Sequence, residues 1–319
     1  MDVDSTGLTK ENLLLFCAGI LVFLLVGEAA IRLIWGPKII TNTTPDGLYY
    51  LAPNQRGWYS LDFPIATNRF TYRGPDIPDG DLASKPNVIF LGDSFTFGWL
   101  LRDDQTIPAQ VQSSAAAQGI QLNGIDAAMG GYGTDHLILR FAQIKSNQKN
   151  RAVVFILTPF DVYRQIEKTP ATSPDLLHTI RANSAFLAWL SDQVKIVLAG
   201  FKKDPAAHPV VTNSFLPATR EAATQKLLTL KKMAEDANAV PLFVIYEYYR
   251  TDYSNDAATV CAANKLNCIT SVPEILSALP ADQYYCSDHA HPSAEANRVL
   301  ADAILQKLVS LGALPLPAS

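Results

Sequence analysis

Three residues near the two ends of the globular sequence have the types and spacing for acyl-transfer chemistry. Ser94 lies in the run LGDSFTFGW, directly after a short apolar stretch. A strand-to-helix turn there would expose its hydroxyl and aim the first amides of the following helix at it. Near the other end, SDHAHPSAEAN places Asp288 and His291 three residues apart, just before Pro292 and Ser293 open a last helix. A hydroxyl nucleophile needs a base, and the base needs a group that holds its tautomer. This spacing lets the Asp288 carboxylate reach Nδ1 of His291 and leaves Nε2 for Ser94. His289 is adjacent to Asp288, lacks that spacing, and reads as a surface residue. Gly-Asp-Ser alone is also an ordinary turn with an N-cap; the pair at the far end makes it a candidate nucleophile.

The elements that must position these residues follow from the pattern of apolar runs. Asn87 to Leu91, Leu122 to Ala127, Ala152 to Leu157, Pro241 to Tyr246 and the shorter Asn267 to Thr270 read as strands. Helical stretches lie between them, at about Thr106 to Gln118, at Arg220 to Asn238 and at Ser293 to Gly312. Apolar strands alternating with amphipathic helices predict a doubly wound α/β domain around a parallel sheet. In such sheets ligands bind at the carboxyl ends of the strands, where Ser94 falls. The segment at about 165–216 is too long for a simple crossover. It reads as a helical insertion, either a lid over the site or a pair of helices packed on the sheet edge. Residues 36–86, rich in Pro, Gly, Asn and aromatics, read as an irregular collar ahead of the domain at 87–312, with a tail at 313–319.

Before the collar, Leu13 to Gly27 carries no charge and the apolar stretch continues to Trp35. That is long enough to span a bilayer, so 13–35 is read as an uncleaved transmembrane anchor behind a short tail at 1–12. Glu28 and Arg32 interrupt it at i, i+4 with Glu first, a spacing that pairs them on one helix face. A second reading has them dock on a membrane protein partner. Lys10 on one side against Arg32 and Lys38 on the other favours a cytoplasmic C-terminal domain by charge alone. The 319 residues hold 48% hydrophobic and 18% charged side chains with a net charge of −4, which excludes a disordered chain and argues against a nucleic-acid-binding face. Cys17 lies in the anchor. Cys261, Cys268 and Cys286 allow three single bridges, of which Cys261 with Cys268 is preferred, and no C-x-x-C pair suggests zinc.

With Gly-Asp-Ser after the first strand and Asp-x-x-His-Pro before the last helix, the chain resembles the SGNH/GDSL hydrolase family over about Asn87 to Leu311. GDSFTFG and GGYGTDH look especially like its membrane-anchored bacterial branch. The resemblance implies a flavodoxin-like three-layer sandwich with a parallel five-stranded sheet, and a catalytic Ser94, His291 and Asp288. It implies an oxyanion hole from the amides of Ser94 and Gly131, with Gly130 and Gly133 as neighbouring alternatives. A third donor, an asparagine after strand three, is replaced by Phe160 in TPFDVYR, leaving Thr158, Tyr163, an asparagine from elsewhere or two amides alone to serve; Asp161 there reads as a loop-capping carboxylate. The resemblance further implies a cofactor- and metal-free serine esterase on an extracytoplasmic domain, acting on acyl esters of envelope glycans or lipids. Two alternatives use the same residues differently: an O-acyltransferase passing an acetyl group to a polysaccharide beside a membrane acyltransferase, and a catalytically degenerate subunit of a membrane complex.

Overall fold

The computed structural model describes residues 10–59, 64–144, 150–158, 161–162, 184–187, 189–190, 194, 217–246 and 259–316. The apolar runs form parallel strands: β5 (Asn87–Gly92), β6 (Asn123–Asp126), β7 (Asn150–Leu157), β8 (Val240–Ile245) and β9 (Cys268–Ile269). Their order in the sheet is β6-β5-β7-β8-β9, which taken along the chain is 2-1-3-4-5, the flavodoxin-like order. The order reverses between β5 and its neighbours β6 and β7, so the crevice at the carboxyl end of β5 is the topological switch point. Ser94 follows β5 by two residues.

Strand periodicity sorts the side chains into two layers. Ile89 and Leu91 of β5, Val153 and Phe155 of β7 and Phe243 of β8 face Leu137 and Phe141 of α5 (Thr134–Gln143) and Leu227 and Leu230 of α6 (Pro217–Asp236). Val88, Phe90, Val154, Ile156 and Leu242 point the other way. They pack on Ile107 and Val111 of α4 (Ile107–Ala117) and on Leu300 and Ile304 of α8 (Ala294–Ser310). Both of those helices start at a side-chain cap. The Ala109 amide donates to Thr106 Oγ1 at 3.4 Å, and the Ala296 amide donates to Ser293 Oγ at 3.0 Å.

The collar is more regular than its composition suggested. β1 (Thr41–Thr43) pairs antiparallel with β2 (Tyr49–Leu51), and β3 (Gln55–Trp58) with β4 (Pro64–Thr67). These strands are three or four residues long, too short for an alternating pattern to stand out among the Pro, Gly and Asn around them. The collar then attaches to the sheet through Arg73, whose amide donates to the Asp126 carbonyl at 3.0 Å, and ends in the short helix α2 (Asp79–Ser84).

The first helix, α1 (Lys10–Trp35), contains 23 residues, Asn12–Ile34, long and apolar enough to cross a membrane. At 1.5 Å per residue they extend roughly 34 Å. Arg32 Nε donates to Glu28 Oε1 at 2.7 Å, the intrahelical pair that their spacing predicted. Glu28 also accepts from Ser184 Oγ at 2.9 Å and from the amides of Ala185 and Phe186 at 3.2 and 3.0 Å. Phe186 lies over Gly27, where an added Cβ would come within 2.7 Å of its ring. Most of the insertion expected at 165–216 lies outside the described residues; the part at 184–187 packs on α1.

Cys261 and Cys268 form the disulfide preferred from sequence, closing the short loop that leads into β9, which α7 (Val272–Leu276) follows; the Cys286 thiol donates to the Pro292 carbonyl at 3.1 Å.

Candidate active site

Ser94 opens a one-turn helix, α3 (Ser94–Phe97), whose N-cap is Asp93. The Asp93 carboxylate accepts from the Phe95 amide at 2.9 Å, so the aspartate of Gly-Asp-Ser builds the turn. The glycine before it is required by packing. A Cβ on Gly92 would sit 2.0 Å from Thr96 Oγ1 and 2.5 Å from the Ile156 carbonyl of the neighbouring strand. Gly98 closes the turn in the left-handed region, with φ +76°.

The other two residues come from the loop ahead of α8. That loop is pinned shut at its base, because the Cys286 amide donates to the His291 carbonyl at 2.8 Å and the Ser293 amide to the Tyr284 carbonyl at 3.0 Å. His291 Nε2 lies 3.0 Å from Ser94 Oγ, and His291 Nδ1 lies 2.6 Å from Asp288 Oδ2. Asp288 Oδ1 accepts from the amides of Ala290 and His291, both at 3.0 Å. Partial burial pushes the Asp288 carboxyl up, but these hydrogen bonds outweigh it and hold the group below the ordinary aspartate range. An ionised Asp288 only accepts, so the proton of His291 sits on Nδ1 and Nε2 is free to accept from the Ser94 hydroxyl. The imidazole lies between Phe95, edge-on at 5.5 Å, and Trp99, stacked at 6.0 Å. His289 is exposed beside this loop at φ +55°.

After β6 the chain turns at Met129, Gly130, Gly131 and Tyr132. The Tyr132 amide donates to the Met129 carbonyl at 3.2 Å, and Gly131 at the third position has φ +85°. That is a type II turn, whose third residue requires the left-handed conformation open to glycine. The turn lies against Ser94: a Cβ added to Gly130 would be 3.7 Å from Ser94 Cβ. The amides of Ser94 and Gly131 have no acceptor among the described residues. Of the neighbouring alternatives, the Gly133 amide donates to His136 Nδ1 at 3.2 Å and is occupied.

Thr158 Oγ1 donates to Asp161 Oδ2 at 2.5 Å and the Thr158 amide donates to the same oxygen at 3.0 Å, so Asp161 caps this loop. The Thr158 hydroxyl proton is thereby used within the loop. Phe160 and Tyr163 lie outside the described residues. Among the described residues no cluster of three or more His, Cys, Asp or Glu could hold a metal.

Sequence reasoning missed two collar residues that hold the site. The Arg73 side chain is 2% exposed and its guanidinium grips the loop after Ser94. It donates to the carbonyls of Phe97 at 2.5 Å, Gly98 at 2.8 Å and Leu101 at 2.5 Å, and pairs with Asp103 at 2.9 Å. Tyr49 donates through Oη to the Gly130 carbonyl at 2.7 Å. Neither has a motif around it; only the topology brings the collar to the carboxyl end of β5.

No protein-family model matches the chain, and no curated protein matches it. Solved structures superpose on it at low identity. TesA is 17% identical, with 70% of this chain and 99% of that chain covered and a TM-score of 0.46. The psychrotrophic esterase EstA from Pseudoalteromonas sp. is 12% identical, with 71% and 98% covered and a TM-score of 0.46. AlinE4, an SGNH-hydrolase family esterase, is 15% identical, with 74% and 99% covered and a TM-score of 0.40. At that level the likeness adds nothing to the geometry, and the chemistry of the site stands on its own distances.

Proposed function

We propose that the chain is a serine esterase that cleaves acyl esters through an acyl-Ser94 intermediate. The observation that carries this reading is the continuous line from Asp288 through His291 to Ser94, at 2.6 and 3.0 Å. As Ser94 Oγ attacks the ester carbonyl carbon, its proton passes to His291 Nε2. The resulting imidazolium is stabilised by ionised Asp288, and the oxyanion is met by the amides of Ser94 and Gly131. Collapse breaks the bond to the alcohol, which leaves with the proton from His291. Water then gives a proton to Nε2 and attacks the acyl carbon, and Ser94 regains its proton as the acid departs. No step calls for a cofactor. The likeness of GDSFTFG and of Asp288 to Pro292 to SGNH/GDSL hydrolases supports the same reading.

The anchored form of the enzyme and its substrate belong to this proposal. α1 would hold the domain at the cytoplasmic membrane with its catalytic face outside. The Cys261–Cys268 bridge supports that side, because disulfides persist in oxidising compartments. The substrates would then be short acyl esters of envelope glycans or lipids. A sugar hydroxyl in place of water would turn the same acyl-enzyme into a transferase.

The test uses the full chain in detergent with a fluorophosphonate probe and short-chain p-nitrophenyl esters, beside Ser94→Ala and His291→Ala. Labelling and turnover in the parent, lost in both variants, is the expected result. A folded parent that neither labels nor turns over would overturn the assignment. Added sugar acceptors distinguish hydrolysis from transfer by whether acyl sugar accumulates.

A further inference from the structure

We infer that Tyr49, a residue of the collar outside the catalytic domain, is the positioning residue for the Gly130–Gly131 peptide of the oxyanion hole. The inference rests on the acyl-Ser94 reading above. Tyr49 Oη donates to the Gly130 carbonyl at 2.7 Å, across 81 residues of sequence. No described peptide is cis, so the carbonyl of Gly130 and the N–H of Gly131 point in opposite directions from one plane. Holding the oxygen therefore sets the direction of the amide. The flanking Gly130 Cα faces Ser94 and Trp99, with an added Cβ 3.7 Å from Ser94 Cβ and 3.6 Å from the Trp99 ring. The Gly131 N–H is thus aimed by a hydrogen bond made on the far side of its own peptide.

The central peptide of a type II turn is the part most free to flip, since turning it over gives the type I form with the same end residues. Two glycines resist that flip less than any other pair. Tyr49 supplies what the glycines lack. Tyr49 is itself fixed, because the Tyr132 hydroxyl donates back to the Tyr49 carbonyl. Its ring meets Tyr132 at 5.3 Å and His136 at 5.5 Å, and Tyr132 stacks on His136 at 5.1 Å. A bond to the carbonyl also polarises the peptide and strengthens its N–H as a donor. Oxyanion stabilisation depends on donors already in place when charge develops, so this bond acts on the transition state and leaves ester binding alone.

The experiment separates the hydroxyl from the ring. Tyr49→Phe keeps the ring contacts and removes the donor. The expected result is a kcat about tenfold lower with KM within about twofold, one hydrogen bond's worth of transition-state stabilisation. An arylboronic acid, whose tetrahedral adduct with Ser94 presents an oxyanion, should bind about tenfold more weakly to the same variant. Tyr132→Phe, which loosens the collar but leaves the Gly130 bond, should change kcat far less. If Tyr49→Phe does not fold, 4-fluorophenylalanine at position 49, which fills the place of the hydroxyl without donating, makes the same comparison of a donor with a non-donor. Equal kcat and equal boronate affinity with and without the donor, in an active parent, would overturn the inference and leave the esterase reading intact. A parent with no turnover and no labelling removes the esterase reading itself.

Discussion

Asp288 holds His291 by both its ring and its backbone: Oδ2 lies 2.6 Å from Nδ1, and Oδ1 accepts the His291 amide at 3.0 Å. One carboxylate thus fixes the loop and the tautomer together, which a three-residue spacing allows and a one-residue spacing does not. Asp288→Asn separates the two roles. Its amide oxygen still accepts from the Ala290 and His291 amides, but its NH2 group faces Nδ1 and drives the imidazole proton to Nε2. We expect kcat for p-nitrophenyl esters to fall on the order of 10⁴ while the melting temperature changes little. A variant within tenfold of the parent would mean that the carboxylate does not set the tautomer.

The collar clamps the loop after Ser94 as well as the Gly130–Gly131 turn. Arg73 spends its buried guanidinium on three carbonyls between Phe97 and Leu101 and on Asp103. Lysine carries the same charge without the planar fork and cannot reach all four acceptors at once. Arg73→Lys should lose about 3 kcal/mol of stability, from buried carbonyls left without donors, and slow fluorophosphonate labelling of Ser94. Thermal melts and labelling rates check the two effects separately. A variant as stable as the parent would show that the loop after Ser94 holds its own shape.

Much of this site was legible in the sequence because the chemistry is local there. Gly92, Asp93 and Ser94 form one turn, Asp288 and His291 another, and an apolar run followed by a helix says which end of the sheet they occupy. The strands could be read because buried parallel strands are continuous apolar runs. What stayed hidden depends on contacts between segments far apart in the chain. Tyr49 and Arg73 sit among short collar strands with no periodicity, and their partners, Gly130 and the Phe97 to Leu101 carbonyls, are backbone atoms that leave no trace in residue identity. The helix α5 was likewise missed: ten residues opened by a glycine turn are easily read as part of the loop that begins at Gly130.

The Cys261–Cys268 bridge joins residues seven apart in sequence and ties the loop to the edge strand β9. β9 is two residues long and pairs only with β8 among the described strands, so it has little else to hold it. A closed loop of this length is worth about 2.5 kcal/mol through the entropy of the unfolded chain. The double variant Cys261→Ser, Cys268→Ser should lose that amount, and dithiothreitol should lower the melting temperature of the parent but not of the variant. Equal sensitivity of both to the reductant would show that the bridge is not formed in the folded protein.

Asp126 ends β6 and leads into the Met129–Tyr132 turn, and its side chain is buried. Burial raises its pKa from 3.8 to about 7, against the lowering effect of Arg73, the Ala128 amide and Arg140. Oδ1 accepts from the Ala128 amide at 3.1 Å, while Oδ2 is buried without a hydrogen-bond partner among the described residues. The folded chain therefore binds a proton here that the unfolded chain releases near pH 4. Between about pH 4 and 7 the native state holds more protons than the unfolded state, so this group's contribution to stability is full below pH 4 and is lost as pH rises through 7. The loss is on the order of 4 kcal/mol, from about three pKa units at 1.36 kcal/mol each. Asp126→Asn keeps the acceptor for Ala128 and cannot ionise, so its stability should exceed that of the parent at pH 8 and approach it at pH 4. Denaturant titrations of both proteins at these two pH values check this. A difference that stays constant with pH would mean that Asp126 is ionised in the folded protein throughout, held so by Arg73 and Arg140.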